Sequence, residues 1–406
     1  MNTAAPEIAF DPFDPSHRAD PYPAYRRARD TAALLPYDFG EVPVTLVTRY
    51  EECAAVLTSP DWGHGYTAGI SPFRDTTAAI PGSFVRMDPP EHGRYRKLVA
   101  KAFTQRMVSQ LMPLAEQVVD DRVDAALRRG RFDVIEDLAV PLAVAMIPVW
   151  MLGADPVDAG RFRQWQLAIA RGTDPDSLLD DNAITARDSA AAECLAHFTE
   201  LAGRKKLAPG HDLLSELVTA GLAAELVTEP EAVGIALLLL VAGMETSINL
   251  IGNGTLALLR HPEQLQILRE NPDLIRPALD EMLRYDAPTQ FTIRVALTDT
   301  VVGGRQFRRG EGVVVLTASA SRDERAFPDA DTFDVTRYAG SRPTRRHLGF
   351  SLGIHYCFGA PLARVEATIA LRTLLKRAPD LRLDADTIEY RPSLIHRSVA
   401  ALPVTV

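Results

Sequence analysis

Residues 350–359 read Phe350-Ser351-Leu352-Gly353-Ile354-His355-Tyr356-Cys357-Phe358-Gly359, and the rest of the chain is best read outward from this run. It stands directly before an amphipathic helical pattern over 359–377 that opens with Pro361. One thiol is held between two glycines, behind a phenylalanine and a histidine, at a helix start. The first N–H groups of a helix lack intrahelical partners and carry partial positive charge, so they favour the anionic form of a nearby thiol. That is what an iron-thiolate site requires. Gly353 and Gly359 let the backbone approach a flat ligand closely. Phe350 would shield the sulfur, and burial and hydrogen bonding at sulfur tune a metal's potential. His355 offers a cation. A lone cysteine is more often a structural core residue; the neighbours of Cys357 argue against that for this one.

The chain has 406 residues, 47% hydrophobic and 24% charged, enough to bury a large core. Length alone suggests two or three domains. Residues assigned below to one site run from 92 to beyond 355, which predicts a single domain over 1–406 instead. Cys53, Cys194 and Cys357 are too few and too scattered for a disulfide framework, which points to a reducing compartment, the cytoplasm. Met1 to Asp14 is polar and proline-bearing, unlike a signal peptide or membrane anchor. The apolar run Gly234 to Gly243 is far shorter than the roughly 20 residues of a bilayer span and reads as a core helix. A net charge of −9 argues against general nucleic-acid binding.

Apolar residues recur at helical spacing over 88–111, 114–129, 137–152, 157–171, 184–204, 210–220, 229–259, 261–270, 277–285 and 359–377. Strand patterns are few: 44–48, 313–316 and a hairpin around Gly303-Gly304. The fold class is therefore mostly α with a small β-rich subregion. Long irregular stretches at 60–86 and 320–350 are of the kind that carry function.

Three further patterns carry chemistry. Ala242-Gly243-Met244-Glu245-Thr246-Ser247 lies in the middle of the longest helical pattern. Gly243 lowers helix stability by about 1 kcal/mol relative to alanine. Thr246 can bond back to the carbonyl four residues earlier, or release it to a ligand and open a kink. Asn249 and Asn253 continue the Glu245 face, either as a hydrated polar track or, for Asn253 above all, as a solvated surface. Glu281-Met-Leu-Arg284 is an acid–base pair one helical turn apart, by itself usually a surface ion pair. His92, Arg96, Val99 and Phe103 share one face of a helix starting near Pro90, while Arg94, Lys97 and Lys101 fall on the opposite face. Two cations on an apolar face require a buried anion.

The run 350–359, together with these patterns, resembles the cytochrome P-450 superfamily over nearly the whole chain from about residue 10, and in particular its soluble bacterial members that tailor secondary metabolites. The resemblance implies one domain wrapped around a buried haem b, with Cys357 as the axial iron ligand. It implies that Thr246 holds bound dioxygen in a pocket opened by the kink, and that Glu245 feeds protons through water. Phe333-Asp-Val-Thr-Arg337 matches the segment that adds a second arginine, so Glu281, Arg284 and Arg337 would form a buried network behind the cysteine loop. His92, Arg96, Arg294 and His355 match propionate-binding positions.

The same resemblance implies a monooxygenase of hydrophobic small molecules, by C–H hydroxylation or epoxidation. A polyketide-like natural product leads, with a carrier-bound acyl chain or a terpenoid next. A haem-thiolate isomerase or peroxygenase and a non-catalytic haem sensor are the other readings. Substrate-lining candidates are loop 60–86 with Phe84 and Val85, region 160–205, Leu238, Leu239 and Ala242, Gln290, Phe291 and Ile293, and Leu394 and Ile395. Electrons would come from a ferredoxin and its ferredoxin reductase, docking at Arg94, Lys97 and Lys101, with Arg345, Arg346 and Arg364 flanking the cysteine loop. A monomer without a membrane is expected.

Overall fold

The computed structural model describes residues 11–406 except 41, 74–75 and 341–343. The start of the N-terminal segment and the corresponding few positions of the two irregular stretches thus lie outside the described residues. The described residues gather in two compact units, one drawn from Met1–Arg74, Asn253–Cys357 and Asp386–Ala400, the other from Asp75–Gly252, Phe358–Ala385 and Ala401–Val406. Helices dominate, as the apolar spacing predicts.

The first unit holds the larger sheet, in the order Leu34–Phe39, Val42–Val47, Gly312–Val315, Thr292–Ala296, Trp62–Gly63. Val42–Val47 and Gly312–Val315 pair in parallel and the other neighbours antiparallel. Leu34–Phe39 was not legible as a strand because Pro36 interrupts it; as an edge strand it tolerates the missing donor. The expected hairpin is present, Thr300–Val302 against Arg305–Phe307, with Gly303 and Gly304 at φ 55° and 78°. Two consecutive positive φ angles are what a tight two-residue hairpin turn demands. Helices Tyr22–Thr31 and Tyr50–Thr58 are additions to the sequence reading. The first buries Arg29 on its apolar face, where the guanidinium donates to the Ser319 carbonyl, so its hydrophobic period is broken.

In the second unit the expected helix over 88–111 is divided. Glu91–Ala100 runs into a 3-10 turn over Lys101–Phe103, and a new helix spans Gln105–Arg129. Thr104 caps it, its hydroxyl accepting from the Met107 N–H, and Pro113 is accommodated inside the helix. The sequence reading ended one helix at 111 and began the next at 114; the cap residue set the break at Thr104. Helices Ala159–Arg171 and Asp181–Leu207 pack on each other, as do Gln105–Arg129 and Ala360–Arg377. A small sheet orders Arg131–Asp133, Pro403–Thr405 and Arg382–Leu383.

The 32-residue helix Glu229–Arg260 is the longest described. Its apolar window and that of the helical stretch Val134–Met151 are long enough to cross a membrane, but 78% and 67% of them are buried inside the protein. Both are core helices by that measure. Gly243 sits where a side chain would come within 3.0–3.5 Å of Ile147, so close packing is the local reason for a glycine there.

Candidate functional site

In the first unit, Cys357 closes a tight loop. Its N–H donates to the Phe350 carbonyl at 3.0 Å, and the Tyr356 N–H donates to the Gly353 carbonyl at 3.1 Å. Gly353 has φ 67°, and a Cβ there would run into the Leu57 carbonyl oxygen. Gly353 thus permits a left-handed turn pressed against Leu57, a role the sequence reading did not include. Gly359 has an ordinary φ of −78° and caps the helix Ala360–Arg377, with Pro361 in its first turn. Phe350 is buried, its ring 5.8 Å from His347 and 6.3 Å from Tyr356. Of the three cysteines, Cys53 and Cys194 are buried, and burial pushes both thiols well up. Cys357 is partly exposed. Among the three cysteines it is the one that keeps part of its surface exposed.

Two propionate candidates share this unit. Arg294 lies in the strand Thr292–Ala296 opposite Val313, buried, and donates to Thr292 Oγ1 at 2.8 Å and the Ile293 carbonyl at 2.7 Å. His355 meets His64 edge to face at 5.0 Å between ring centroids, and His64 stacks on Tyr66. His64 escaped the sequence reading because its neighbours in loop 60–86 carry no periodic signal.

Behind the cysteine loop in sequence, Glu281 and Arg284 are both fully buried. Arg284 Nε and Nη2 reach the two Glu281 oxygens at 2.7 Å each, a bidentate fork. The remaining Arg284 donors meet the carbonyls of Ser321, Ala330 and Thr332. Arg337 Nε lies 3.1 Å from Glu281 Oε2, and the Asp334 N–H donates to Oε1 at 2.9 Å. One carboxylate thus ties a helix to the irregular stretch that leads to Cys357. His347, also missed by the sequence reading, supports that stretch through Asp280 at 3.0 Å.

In the second unit, His92 is buried and Arg96 partly so, with the Arg96 guanidinium 5.8 Å above the Phe358 ring. Lys97 and Lys101 are exposed. Arg94 is not a free surface cation: it pairs with Glu231 at 3.1 Å, donates to the Leu226 carbonyl and lies over the Tyr95 ring. The expected three-cation face loses Arg94 to this network. In the first unit Arg345 likewise pairs with Glu51.

The helix Glu229–Arg260 runs unbroken through 242–247, and Thr246 Oγ1 donates to the Ala242 carbonyl at 2.8 Å, the first of the two arrangements open to it. Ala242 is exposed and Gly243 and Thr246 partly exposed, while Met244, Glu245, Ser247 and Ile248 are buried. Glu245 accepts from Asn249 Nδ2 at 2.8 Å and from Gln166 Nε2. Asn249 and Asn253 are buried too, and in the first unit Asn253 donates to the Arg397 carbonyl at 2.9 Å. A solvated face is therefore ruled out for all three residues. Glu366, on the helix Ala360–Arg377, is buried, and desolvation pushes its carboxyl up to about 8 against the opposing effect of Ser247.

The substrate-lining candidates divide. Gln290, Leu394 and Ile395 come together in the first unit, where the Gln290 N–H donates to the Ile395 carbonyl at 2.8 Å, and Ile293 is buried in the adjoining strand. Phe291 is corrected to core, fully buried with its ring 5.2 Å from Phe13 and 5.6 Å from Phe39. In the second unit Phe84 is buried with its ring 5.3 Å from Phe358, a packing contact rather than a pocket wall, and Val85 beside it is partly exposed. Leu238 and Leu239 are buried on the helix that exposes Ala242.

A family model described as Cytochrome P450 matches residues 203–378. The chain is 39% identical over 396 residues to Cytochrome P450 monooxygenase PikC of Streptomyces venezuelae, covering 95% of this chain and 91% of the relative. This chain belongs to the cytochrome P450 family. Among solved structures, P450BioI in complex with hexadec-9Z-enoic acid ligated acyl carrier protein superposes with a TM-score of 0.88 at 35% identity, covering 97% of this P450 and 100% of that chain. The Bacillus subtilis 168 bacillaene polyketide synthase cytochrome P450 PksS gives 0.85 at 29% identity, covering 98% and 99%. This P450 is an enzyme, an oxidoreductase with the mostly α architecture of its family.

The family implies a haem b, a small hydrophobic substrate and electron-donor partners. The donor set fits that cofactor. Among the described residues no cluster of three or more His, Cys, Asp or Glu is placed to hold a metal ion. In the first unit, the partly exposed Cys357 suits an iron whose other ligands come with a macrocycle, and the buried Arg294 suits an acidic group.

Proposed function

We propose that this P450 is a monooxygenase that inserts one oxygen atom from dioxygen into a hydrophobic small molecule, by C–H hydroxylation or epoxidation. Its substrate is a natural product such as a polyketide. The observation that carries the reading is the partly exposed Cys357 in a hydrogen-bonded loop, when both other cysteines are buried. Cys357 would ligate the iron, with Phe350 covering the sulfur. His92, Arg96, Arg294 and His355 would meet the propionates. Haem, when bound, supplies the activation of dioxygen; the protein supplies positioning and protons.

Thr246 already donates its hydroxyl hydrogen to the Ala242 carbonyl, so its oxygen is left with lone pairs to accept a hydrogen bond on the exposed side of the helix. Glu245 follows it in the buried direction and would deliver protons from within the protein. An isomerase, a peroxygenase or a gas sensor has no use for that acid–alcohol pair. Substrate contacts would come from Ala242 with Leu238 and Leu239, and from Gln290, Ile293, Leu394 and Ile395.

The superposition on a P450 solved with an acyl carrier protein favours a second substrate class, an acyl chain bound to a carrier. The polyketide synthase P450 favours the first. The enzyme would act as a single haem domain and a monomer in the cytoplasm, reduced by a ferredoxin and its reductase. The test is a ligand screen on the haem-loaded enzyme scored by iron spin state, with free macrocyclic polyketides in one arm and acyl carrier proteins in the other. A shift with free polyketides coupled to steady reductant consumption is expected. A shift with carrier-bound chains alone would move the assignment to the second class, and ligand-independent behaviour in both arms would contradict the enzyme's proposed substrates altogether.

A further inference from the structure

The long helix Glu229–Arg260 carries glycines at 234, 243, 252 and 254, although alanine is intrinsically preferred inside a helix. What each would touch with a side chain differs. A Cβ at Gly243, Gly252 or Gly254 would meet the side chains of Ile147, Ile135 and Met282 in turn. A Cβ at Gly234 would instead overlap the Pro81 carbonyl oxygen, a backbone atom that moves only with its loop. The fit is reciprocal. Gly82 has φ 80°, and a Cβ there would overlap the Glu231 carbonyl oxygen and come within 3.1 Å of Ile235. Loop 60–86 thus crosses the start of the long helix backbone against backbone, and a side chain at either glycine would part the two. The crossing lies wholly within the second unit.

Both partners of the crossing are fixed elsewhere. Glu231 pairs with Arg94 at 3.1 Å and accepts from the Tyr95 hydroxyl, which anchors the helix start on Glu91–Ala100. Directly after the crossing the loop turns tightly. The Phe84 N–H donates to the Gly82 carbonyl at 2.7 Å, and the Arg86 N–H to the Ser83 carbonyl at 3.0 Å. Ser83 and Phe84 are buried, and the turn Phe84–Arg86 leaves Val85 partly exposed. Val85 is therefore carried on a turn pressed against the helix at one end and packed on the Phe358 ring through Phe84.

We propose that the crossing of Gly82 on Gly234 determines specificity: it pins the turn Phe84–Arg86 to the long helix, so that Val85 stands as a fixed wall and the enzyme selects its ligands by bulk. Gly82 and Gly234 act through Val85 and are positioning residues. This inference rests on the reading of Val85 as a substrate-lining residue.

The test uses the haem-loaded enzyme with imidazole and 4-phenylimidazole, which bind iron through the same type of nitrogen and differ in bulk, read by the shift of the Soret band. In Gly234→Ala the ratio of the two affinities should change by about tenfold, the low end of what one methylene-sized change in an apolar pocket produces. Haem content and imidazole affinity should stay as they are. Gly252→Ala adds the same methyl group to the same helix, against the movable end of Ile135, and should leave the ratio unchanged. Amide exchange on the unaltered enzyme needs no folded variant: the N–H groups of Phe84, Arg86 and Met87 should exchange as slowly as those of the long helix beyond its first turn. Val85→Phe should move the ratio by itself. A ratio that moves in Val85→Phe but not in Gly234→Ala, an equal change in Gly252→Ala, or turn amides that exchange freely would each overturn the role of the crossing. A ratio indifferent to Val85→Phe would instead remove the reading on which it rests.

Discussion

Glu281 and Glu245 are both carboxylates taken out of water, one in each compact unit, and their partners differ in kind. Glu281 faces two guanidinium groups and a backbone N–H, and Arg284 is further tied to three carbonyls. Glu245 faces the side-chain amides of Gln166 and Asn249. Removing one member of a buried ion pair costs about 3–5 kcal/mol, because the other charge is left without compensation. A hydrogen bond from a neutral amide to a charged group contributes about 1.5–3 kcal/mol net, and its loss leaves no cation uncompensated. The first carboxylate is built to stay where it is. The second is placed by amides that carry no charge of their own.

The largest effect should separate the two sites. Glu281→Ala leaves the buried Arg284 and the partly exposed Arg337 without their anion and should abolish soluble expression or haem retention, since about 3–5 kcal/mol is a large share of a domain's stability. Glu245→Gln should fold, load haem and fail in product formation. Equal damage to folding in both variants, read by thermal unfolding and haem content, would erase the distinction. Thr246→Ala sharpens the same contrast next to Glu245: haem incorporation intact, product formed per electron pair sharply reduced, and the difference lost as peroxide. Unchanged coupling would remove Thr246 from the mechanism.

A third buried carboxyl shows what happens without either kind of partner set. Burial raises Glu366 from 4.5 to about 8, opposed by Ser247. The folded protein then keeps a proton that the unfolded chain releases above about pH 4.5, so stability falls as pH rises toward about 8 and is level beyond. Glu366→Gln should flatten that slope, raising the unfolding temperature by more at alkaline than at mildly acidic pH. A gain independent of pH would show that Glu366 does not titrate in this window.

The smallest expected effect lies on the surface. Lys97 and Lys101 remain exposed after Arg94 is withdrawn into its pair with Glu231. Reversing both lysine charges should slow reduction by a ferredoxin a few-fold, with substrate affinity unchanged. Rising salt should do the same, since screening acts within about 10 Å at 0.1 M. Reduction indifferent to both changes would leave these lysines as solvated surface.

The sequence made some of this legible and hid the rest for physical reasons. Local signals were readable: a thiol between glycines before a helix, an acid and an alcohol in an apolar helix, an acid and a base one turn apart. Period-based helices such as 157–171 and 229–259 came within a few residues of those observed. An element whose buried face carries an arginine, Tyr22–Thr31, and one interrupted by a proline, Leu34–Phe39, were not readable. The roles of Gly353 and Gly243 depend on Leu57 and Ile147, distant in sequence. Arg94 and Gln166 took their meaning from Glu231 and Glu245, more than seventy residues away. A one-dimensional pattern shows what a residue type can do, and its partner decides which of those things it does.

The central claim is that Cys357 carries the haem iron as a thiolate. It is tested most directly by the absorption spectrum of the reduced, carbon-monoxide-bound protein before and after Cys357→Ser. The account predicts a thiolate-type spectrum for the natural chain and its complete loss in the variant. Survival of that spectrum in Cys357→Ser would contradict the assignment.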